Sequence, residues 1–494
     1  MMTKAESKWR SYLAGGAIIA TFVVLLLFRL NVPAGIFPAE EKPAPVNHAA
    51  SRGEVWMEIT QKNQKIGYAV RRQTPTETGS KFSEDIFMKI NSMGIVQPVK
   101  IHTSAALKPG GEISSFEFVL GSNLFEFAAE GSIANGKMSV RFGEDNYRKV
   151  FSMPAPVYLG GGMLGAAGKE ALAKGEERTF TLFDPASLSS RSVKITSLGE
   201  DKLTVMGKVT PARKLAVDFM GMKQVAWVSP QGFVLREEGI LGIVLQMVSK
   251  KEALSGIDVA AGSDLTAAAA IPVSRLIDNP PGLKALTVRL HDLPAGNFRL
   301  EGGRQTYKEG LLTVRNEKYS KMITPFSDHD KNPERYLNPA PFVESDNPKI
   351  RRKALEVVAA ADDDLEKTEK LVTWIYKNIV KRPVLSVPDA LQTLENMVGD
   401  CNEHAVLLAA MARAAGLPAE IETGLVYMRG SFFFHAWNTV YIKELGGWVT
   451  ADATLGQMPA DVTHLRFASG SLENQITMTA LIGTLKLEIM GTER

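Results

Sequence analysis

The chain contains one cysteine, Cys401, in the run Gly399-Asp400-Cys401-Asn402-Glu403-His404, with His435 and Asp452 downstream. A thiol followed by an imidazole and a carboxylate is the order of a nucleophile, its base and the group that orients the base. The thiolate is the reactive species, so what surrounds Cys401 decides whether it attacks or is an inert, buried apolar residue. A second use of the same donors is a metal site. Cys401-x-x-His404 has ligand spacing, and His435 with Asp452 would complete a four-ligand zinc set.

The thiol needs a helix start. Asp400 to Ala415 reads as one helix, with Asp400 as N-cap and Glu403 three residues on as its capping-box partner. Gly416 closes it in a left-handed conformation, and Pro418 prevents continuation. Ala405 to Met411 is an unbroken apolar run, the pattern of a central buried helix. Cys401 falls in the first turn, where unpaired N–H groups and the positive end of the dipole favour a thiolate. Asp400 and Glu403 oppose that, so a nearby cation is wanted, and a protonated His435 would supply it.

The base needs a hairpin. Phe432–Ile442 and Trp448–Ala453 are β-prone around Gly446-Gly447. Folding about Leu445 places Leu455 opposite His435; a tighter turn at Lys443-Glu444 places Asp452 there. The register stays open between them. Helical spacing marks three more helices before the cysteine. One is capped at Asn347-Pro348, a second runs from Leu365 to Val380, and a short third starts after Ser386.

Glu54 to about Leu254 is different in kind, a succession of short β-prone runs that predicts antiparallel neighbours. Gly160 to Lys169 is glycine-rich, but Met163 and Glu170 break the spacing of a phosphate loop, and a flexible loop is expected. Further strands are expected from Leu283 to Val314, beyond the break at Asn279-Pro280-Pro281-Gly282.

At the start of the chain, Tyr12–Phe28 is uncharged and follows Lys4, Lys8 and Arg10. It fits an uncleaved transmembrane anchor of about 17–25 residues, with the N-terminus in the cytoplasm. The expectation is a single-pass inner-membrane protein with its globular part periplasmic. Asn31–Asn47 carries four prolines and reads as a linker. A net charge of +3 over 494 residues, with 22% charged residues, argues against nucleic acid as a partner. One cysteine excludes an intramolecular disulfide and a cysteine-rich metal site.

Taken together, Gly399-Asp400-Cys401, Gly416-Leu417-Pro418-Ala419, His435-Ala436-Trp437 and Gly446-Gly447-Trp448-Val449 leading to Asp452 resemble the transglutaminase-like superfamily, a branch of the papain-like fold. The resemblance covers about Pro333 to Phe467. It implies Cys401 as nucleophile, His435 as base and Asp452 as orienting acid, on a helix packed against an antiparallel sheet. Glu420 departs from it, standing where a basic residue is frequent. The oxyanion donor is not legible; the Cys401 N–H, Gln392 and Trp437 are the candidates for oxyanion or substrate contact.

The expected fold class is therefore α+β: a transmembrane anchor (1–30), a Pro-rich linker (31–52), a β-rich antiparallel domain (53–254), a β bridge or continuation (255–332) and a papain-like catalytic domain (333–494). The expected activity is cysteine-dependent acyl transfer on a peptide or glutamine carboxamide through a thioester, hydrolysis favoured over transamidation. No cofactor is expected. The partners expected are a peptide or protein substrate, envelope components among them, and the membrane through the N-terminal helix. The alternatives are the zinc site and a non-catalytic envelope-binding protein with a vestigial triad.

Overall fold

The computed structural model describes residues 54–494, apart from 124, 144–146, 154–155, 171, 220–221, 258–261, 318–331 and 471–475. The described residues fall into two compact units, 54–264 and 265–494.

In the first unit fifteen strands form one sheet. Sequence neighbours pair as a meander from Glu54–Gln61 out to Tyr147–Ser152. The later strands run back so that Ile243–Val248 pairs antiparallel with Glu54–Gln61, Trp56 facing Val248. A parallel pair, Val157–Tyr158 with Glu177–Asp184, ends the other arm. Strict alternation drives this: Val55, Met57 and Ile59 are buried while their neighbours are half-buried, as a strand with one packed face requires. Arg71 lies buried in this unit, paired with Glu84 and, at 2.9 Å, with Glu237. Burial pushes the Glu84 carboxyl up to about 8 despite the guanidinium beside it.

Gly160–Lys169, expected as a loop, is an α-helix. Its glycines are contact points: a Cβ on Gly162 would stand 2.8 Å from the Gly111 carbonyl oxygen, and one on Gly168 would stand 2.3 Å from the Val228 side chain. The small residues permit close packing, while Met163, Leu164 and Ala167 supply the buried face.

In the second unit the central sheet holds Ala419–Met428, Ser431–Ile442 and Leu465–Ser469, with Ile271–Pro272 and Gly447–Ala451 both paired to Ser431–Ile442. The helix Cys401–Ala414 packs on Ser431–Ile442 and is buried from Cys401 to Ala412. Pro348–Val358, Asp364–Asn378 and Ala390–Asn396 pack against that helix. A separate four-stranded sheet joins Gln305–Lys308, Leu311–Arg315, Ala285–His291 and Lys486–Glu493.

Two expectations are corrected. The class is mostly β, with 49% strand and 21% helix, because a single sheet occupies nearly all of one unit and strands form the centre of the other. The membrane assignment is also overturned. The expected span Tyr12–Phe28 lies outside the described residues, and among those described no helix is long and apolar enough to cross a membrane. Asp364–Asn378, at 15 residues, spans about 22 Å against a hydrocarbon core of about 30 Å. It also carries charge along its length. No described helix supplies the membrane span on which the single-pass, periplasmic localisation rests.

Candidate active site

Cys401 is the first residue of its helix. Asp400 is the N-cap: its Oδ1 accepts from the Asn402 N–H at 2.8 Å, and the Asp400 N–H donates to Glu403 Oε2 at 3.0 Å, closing the capping box. At the other end Gly416 takes φ +82°. Leu417 N–H donates to the Ala412 carbonyl and Gly416 N–H to that of Arg413, the paired bonds that end a helix on a left-handed residue. The start is fixed from outside as well. Val398–Gly399 pairs in parallel with Val380–Lys381, and a Cβ on Gly399 would stand 2.3 Å from the Glu403 Cβ.

Asp400 and Glu403 are fully buried. Burial, reinforced by the Glu403 carboxylate, raises the Asp400 carboxyl well above the usual range. Burial thus weakens the charged form of the Asp400 carboxyl, and with it the opposition to a thiolate at Cys401. Ser386 donates to Glu403 Oε1 at 2.6 Å. That use removes Ser386 from helix capping. The Ala390–Asn396 helix starts three residues later than expected, on Asp389, whose Oδ1 accepts from the Gln392 N–H at 2.9 Å.

His435 sits in the strand Ser431–Ile442, which is tied to the cysteine helix by Asn438 Nδ2 donating to the Ala405 carbonyl at 3.0 Å. The hairpin register is neither of the two expected. Asn438 pairs with Ala451 and Ile442 with Gly447, across a turn from Lys443 to Gly446, with Gly446 left-handed at φ +60°. Continued by one residue, this register sets Asp452 against Trp437, two residues from His435 on the same face. The carboxylate thus reaches His435 on the diagonal. The His435 Nε2–H donates to Asp452 Oδ2 at 2.7 Å. With Nε2 committed as donor, Nδ1 is the nitrogen that accepts a proton.

Asp452 is held from its other side by its own loop. Oδ1 accepts from the Thr454 and Leu455 N–H groups at 2.7 and 3.0 Å, while its backbone bridges to Gln457. Asp452 Oδ2 receives a second imidazole, His464, at 3.0 Å. Burial would raise the Asp452 carboxyl, but His435 and His464 outweigh it and hold it far below the carboxylate range.

Cys401, His435, Asp452 and His464 are all fully buried. Gly424 stands opposite His435 in the neighbouring strand, and a Cβ there would lie 1.8 Å from the Leu465 carbonyl oxygen. Trp437 stacks beside His435, centroids 6.1 Å apart, and gives its only N–H to Glu422 at 2.7 Å. It therefore packs the imidazole and has no donor left for an oxyanion. Gln392 is buried on its short helix. Glu420 is buried too, pushed up to about 7 by that burial against Arg299.

The proposed zinc ligands are not gathered as a set. Among the described residues the donor atoms within 4.8 Å of one another belong to His435, Asp452 and His464; Cys401 and His404 are not among them. Of those three, His435 and His464 are each hydrogen-bonded to Asp452. His404 Nδ1 donates to the Asp400 carbonyl, and burial lowers its pKa to about 3, so it stays neutral.

His464 is the residue that sequence reasoning missed. The signal was present as Asp461-x-x-His464 immediately before an apolar strand, but nothing local says which way that histidine turns.

Residues 351–453 match the profile of the transglutaminase-like superfamily. This segment is a transglutaminase-like domain. The superfamily comprises cysteine-dependent hydrolases and acyltransferases. No curated protein matches the chain. Among solved structures it is similar to a protein proposed to be a cysteine protease from Cytophaga hutchinsonii, at 17% identity over 41% of this chain and 83% of that one, TM-score 0.26. It is also similar to the ethylmercury-bound periplasmic domain of TgpA from Pseudomonas aeruginosa (15% identity, 38% of this chain and 89% of that one, TM-score 0.27). A β-barrel-like protein from Brucella abortus is similar at 13% identity over 40% of this chain and 95% of that one, TM-score 0.32. These likenesses are too loose to bear on function.

Proposed function

We propose that the transglutaminase-like domain carries out cysteine-dependent acyl transfer on a peptide or glutamine carboxamide, with Cys401 as nucleophile, His435 as base and Asp452 as orienting acid. The observation that carries this reading is the 2.7 Å bond from His435 Nε2 to Asp452 Oδ2. It fixes the tautomer in which Nδ1 takes the thiol proton. Support comes from the placement of Cys401 in the first helical turn and from the raised Asp400 carboxyl beside it, whose charged form, the one that would oppose a thiolate, is disfavoured by burial.

In the reaction the thiolate attacks the carbonyl carbon, forming a C–S bond. Collapse of the tetrahedral adduct breaks the C–N bond, and the His435 imidazolium gives its proton to the leaving ammonia or amine. The acyl group remains as a thioester on Cys401. Water, deprotonated by His435, then releases a carboxylate; an amine in its place would give a new amide. Hydrolysis is the favoured outcome, since water is present at far higher concentration than any amine.

The test is the pH dependence of Cys401 alkylation by iodoacetamide on the full chain, which has one thiol to label. A rate limb well below the pKa of about 8.5 of an ordinary cysteine is expected. A thiol that reacts only after denaturation sinks the reading.

A further inference from the structure

Both nitrogens of the His464 ring face oxygen atoms. Nε2 lies 3.0 Å from Asp452 Oδ2, and Nδ1 lies 3.2 Å from the Asp461 carbonyl oxygen and 3.4 Å from Asp461 Oδ1. A carbonyl only accepts, and so does an ionised carboxylate. A neutral imidazole has one N–H and would leave one of these contacts as two lone pairs in opposition. The ring fits its surroundings when both nitrogens carry protons.

We propose that His464 is a fourth, positioning member of the site: a buried imidazolium that holds the oxygen of Asp452 also used by His435, and offsets the charge of that carboxylate. This rests on the functional reading of Cys401, His435 and Asp452.

The setting is built for a cation. Asp461 is itself fixed by the Thr463 N–H and hydroxyl on Oδ1, at 2.9 and 2.6 Å, and by Gln457 Nε2 on Oδ2 at 3.1 Å. His464 leads into the strand Leu465–Ser469, where Arg466 is clasped on both sides of its backbone by Gln305. The Arg466 N–H donates to Gln305 Oε1 at 2.6 Å, and Gln305 Nε2 donates to the Arg466 carbonyl at 3.1 Å. Trp437 meets the His464 ring edge-on at 5.1 Å and walls it from the Glu422–Arg466 pair, joined at 3.2 Å. The charged and titratable groups facing His464 are thus Asp461 on its own loop, Asp452 just past the strand Gly447–Ala451, and His435, whose ring is 5.6 Å away. From the helix, His404 is neutral. Burial works against a charge on His464, but its bonds to Asp452 and Asp461 outweigh that and push its pKa up to about 9.

A lone carboxylate behind His435 would favour the imidazolium and disfavour a thiolate in the same pocket. A cation on that carboxylate at neutral pH counters both effects. Loss of the cation should therefore raise every proton affinity in the cluster.

The experiment compares the alkylation profile of the full chain with that of His464→Gln, which retains a donor toward Asp452 but no charge. The acid limb is expected to move up by about one pH unit. An unmoved limb in a folded His464→Gln protein overturns the proposal. Should that variant fail to fold, ring ¹⁵N shifts of the wild-type protein decide: two protonated nitrogens on His464 at pH 7 support the proposal, and one protonated nitrogen overturns it. A wild-type profile with no limb below that of an ordinary thiol overturns the nucleophile reading, and with it any part for His464 in the reaction. That failure is seen without the variant.

Discussion

His435 reaches Asp452 across the diagonal of its hairpin, 2.7 Å from Nε2 to Oδ2, while Trp437 occupies the position that the ladder sets against Asp452. A carboxylate directly opposite would have approached the imidazole from the strand edge. The diagonal leaves room for the indole to lie beside the ring and for the loop after Asp452 to turn back on the same carboxylate.

Cys401→Ala should abolish turnover on any substrate found, with the fold retained, because Asp400, Glu403 and Ser386 hold the helix start. Unchanged far-UV circular dichroism with no acyl transfer is the expected pair of results. Retained activity would show that another group is the nucleophile.

Asp452→Asn should lower the rate by about 10³–10⁴-fold with Cys401 still titratable by thiol reagents. An amide offers its NH₂ as readily as its oxygen, so His435 loses the tautomer that leaves Nδ1 as acceptor. A drop of less than about tenfold would show that the orientation comes from elsewhere.

Stability should fall on the alkaline side through His464. An unfolded histidine titrates near 6.5, whereas folded His464 has a pKa of about 9. Its contribution is fully present below about pH 6.5 and is lost as pH rises through 9. The size is on the order of 3 kcal/mol. Asp452 and Asp461 are depressed and act with the opposite sign: their contribution is present above about pH 4 and is lost as pH falls through their folded values. The stability gap between wild type and His464→Gln, followed by thermal melting, should be wide near pH 6 and narrow by pH 10.

Gly424→Ala should destabilise the second unit by about 3 kcal/mol. The added methyl would meet the Leu465 carbonyl at 1.8 Å and the Trp437 ring at 2.9 Å, so either the strand pairing or the indole must give way. A lowered denaturation midpoint checks this, and a neutral result would mean that the strands separate there at little cost.

In the first unit, Arg71→Met should cost about 3–5 kcal/mol, since it leaves Glu84 and Glu237 buried without their cation. Adding Glu84→Gln should recover part of the loss. Denaturation of the single and double variants measures both effects.

What was legible in the sequence follows the range of the forces involved. The cysteine helix was readable from both ends, because its capping box and its left-handed glycine are local chemistry. The hairpin was readable as an element but not in register, since the four-residue turn Lys443–Gly446 lies between the two turns that the glycines suggest. Gly160–Lys169 reads as a loop on glycine content alone, because its partners Gly111 and Val228, which make those glycines a packing face, lie far along the chain. The β character of the first unit was legible as a succession of short runs, but not the return of Ile243–Val248 to Glu54–Gln61, nearly two hundred residues apart. His464 escaped for the same reason, because its meaning lies in an oxygen that belongs to Asp452.

The two oxygens of Asp452 have unequal freedom. Oδ1 is anchored by its own loop, so the carboxylate cannot swing to follow either ring, and Oδ2 must serve both at once. Any movement of that oxygen therefore changes the hydrogen bonds of both rings together. The two histidines are aimed by one atom, and whatever displaces the loop after Asp452 re-aims both.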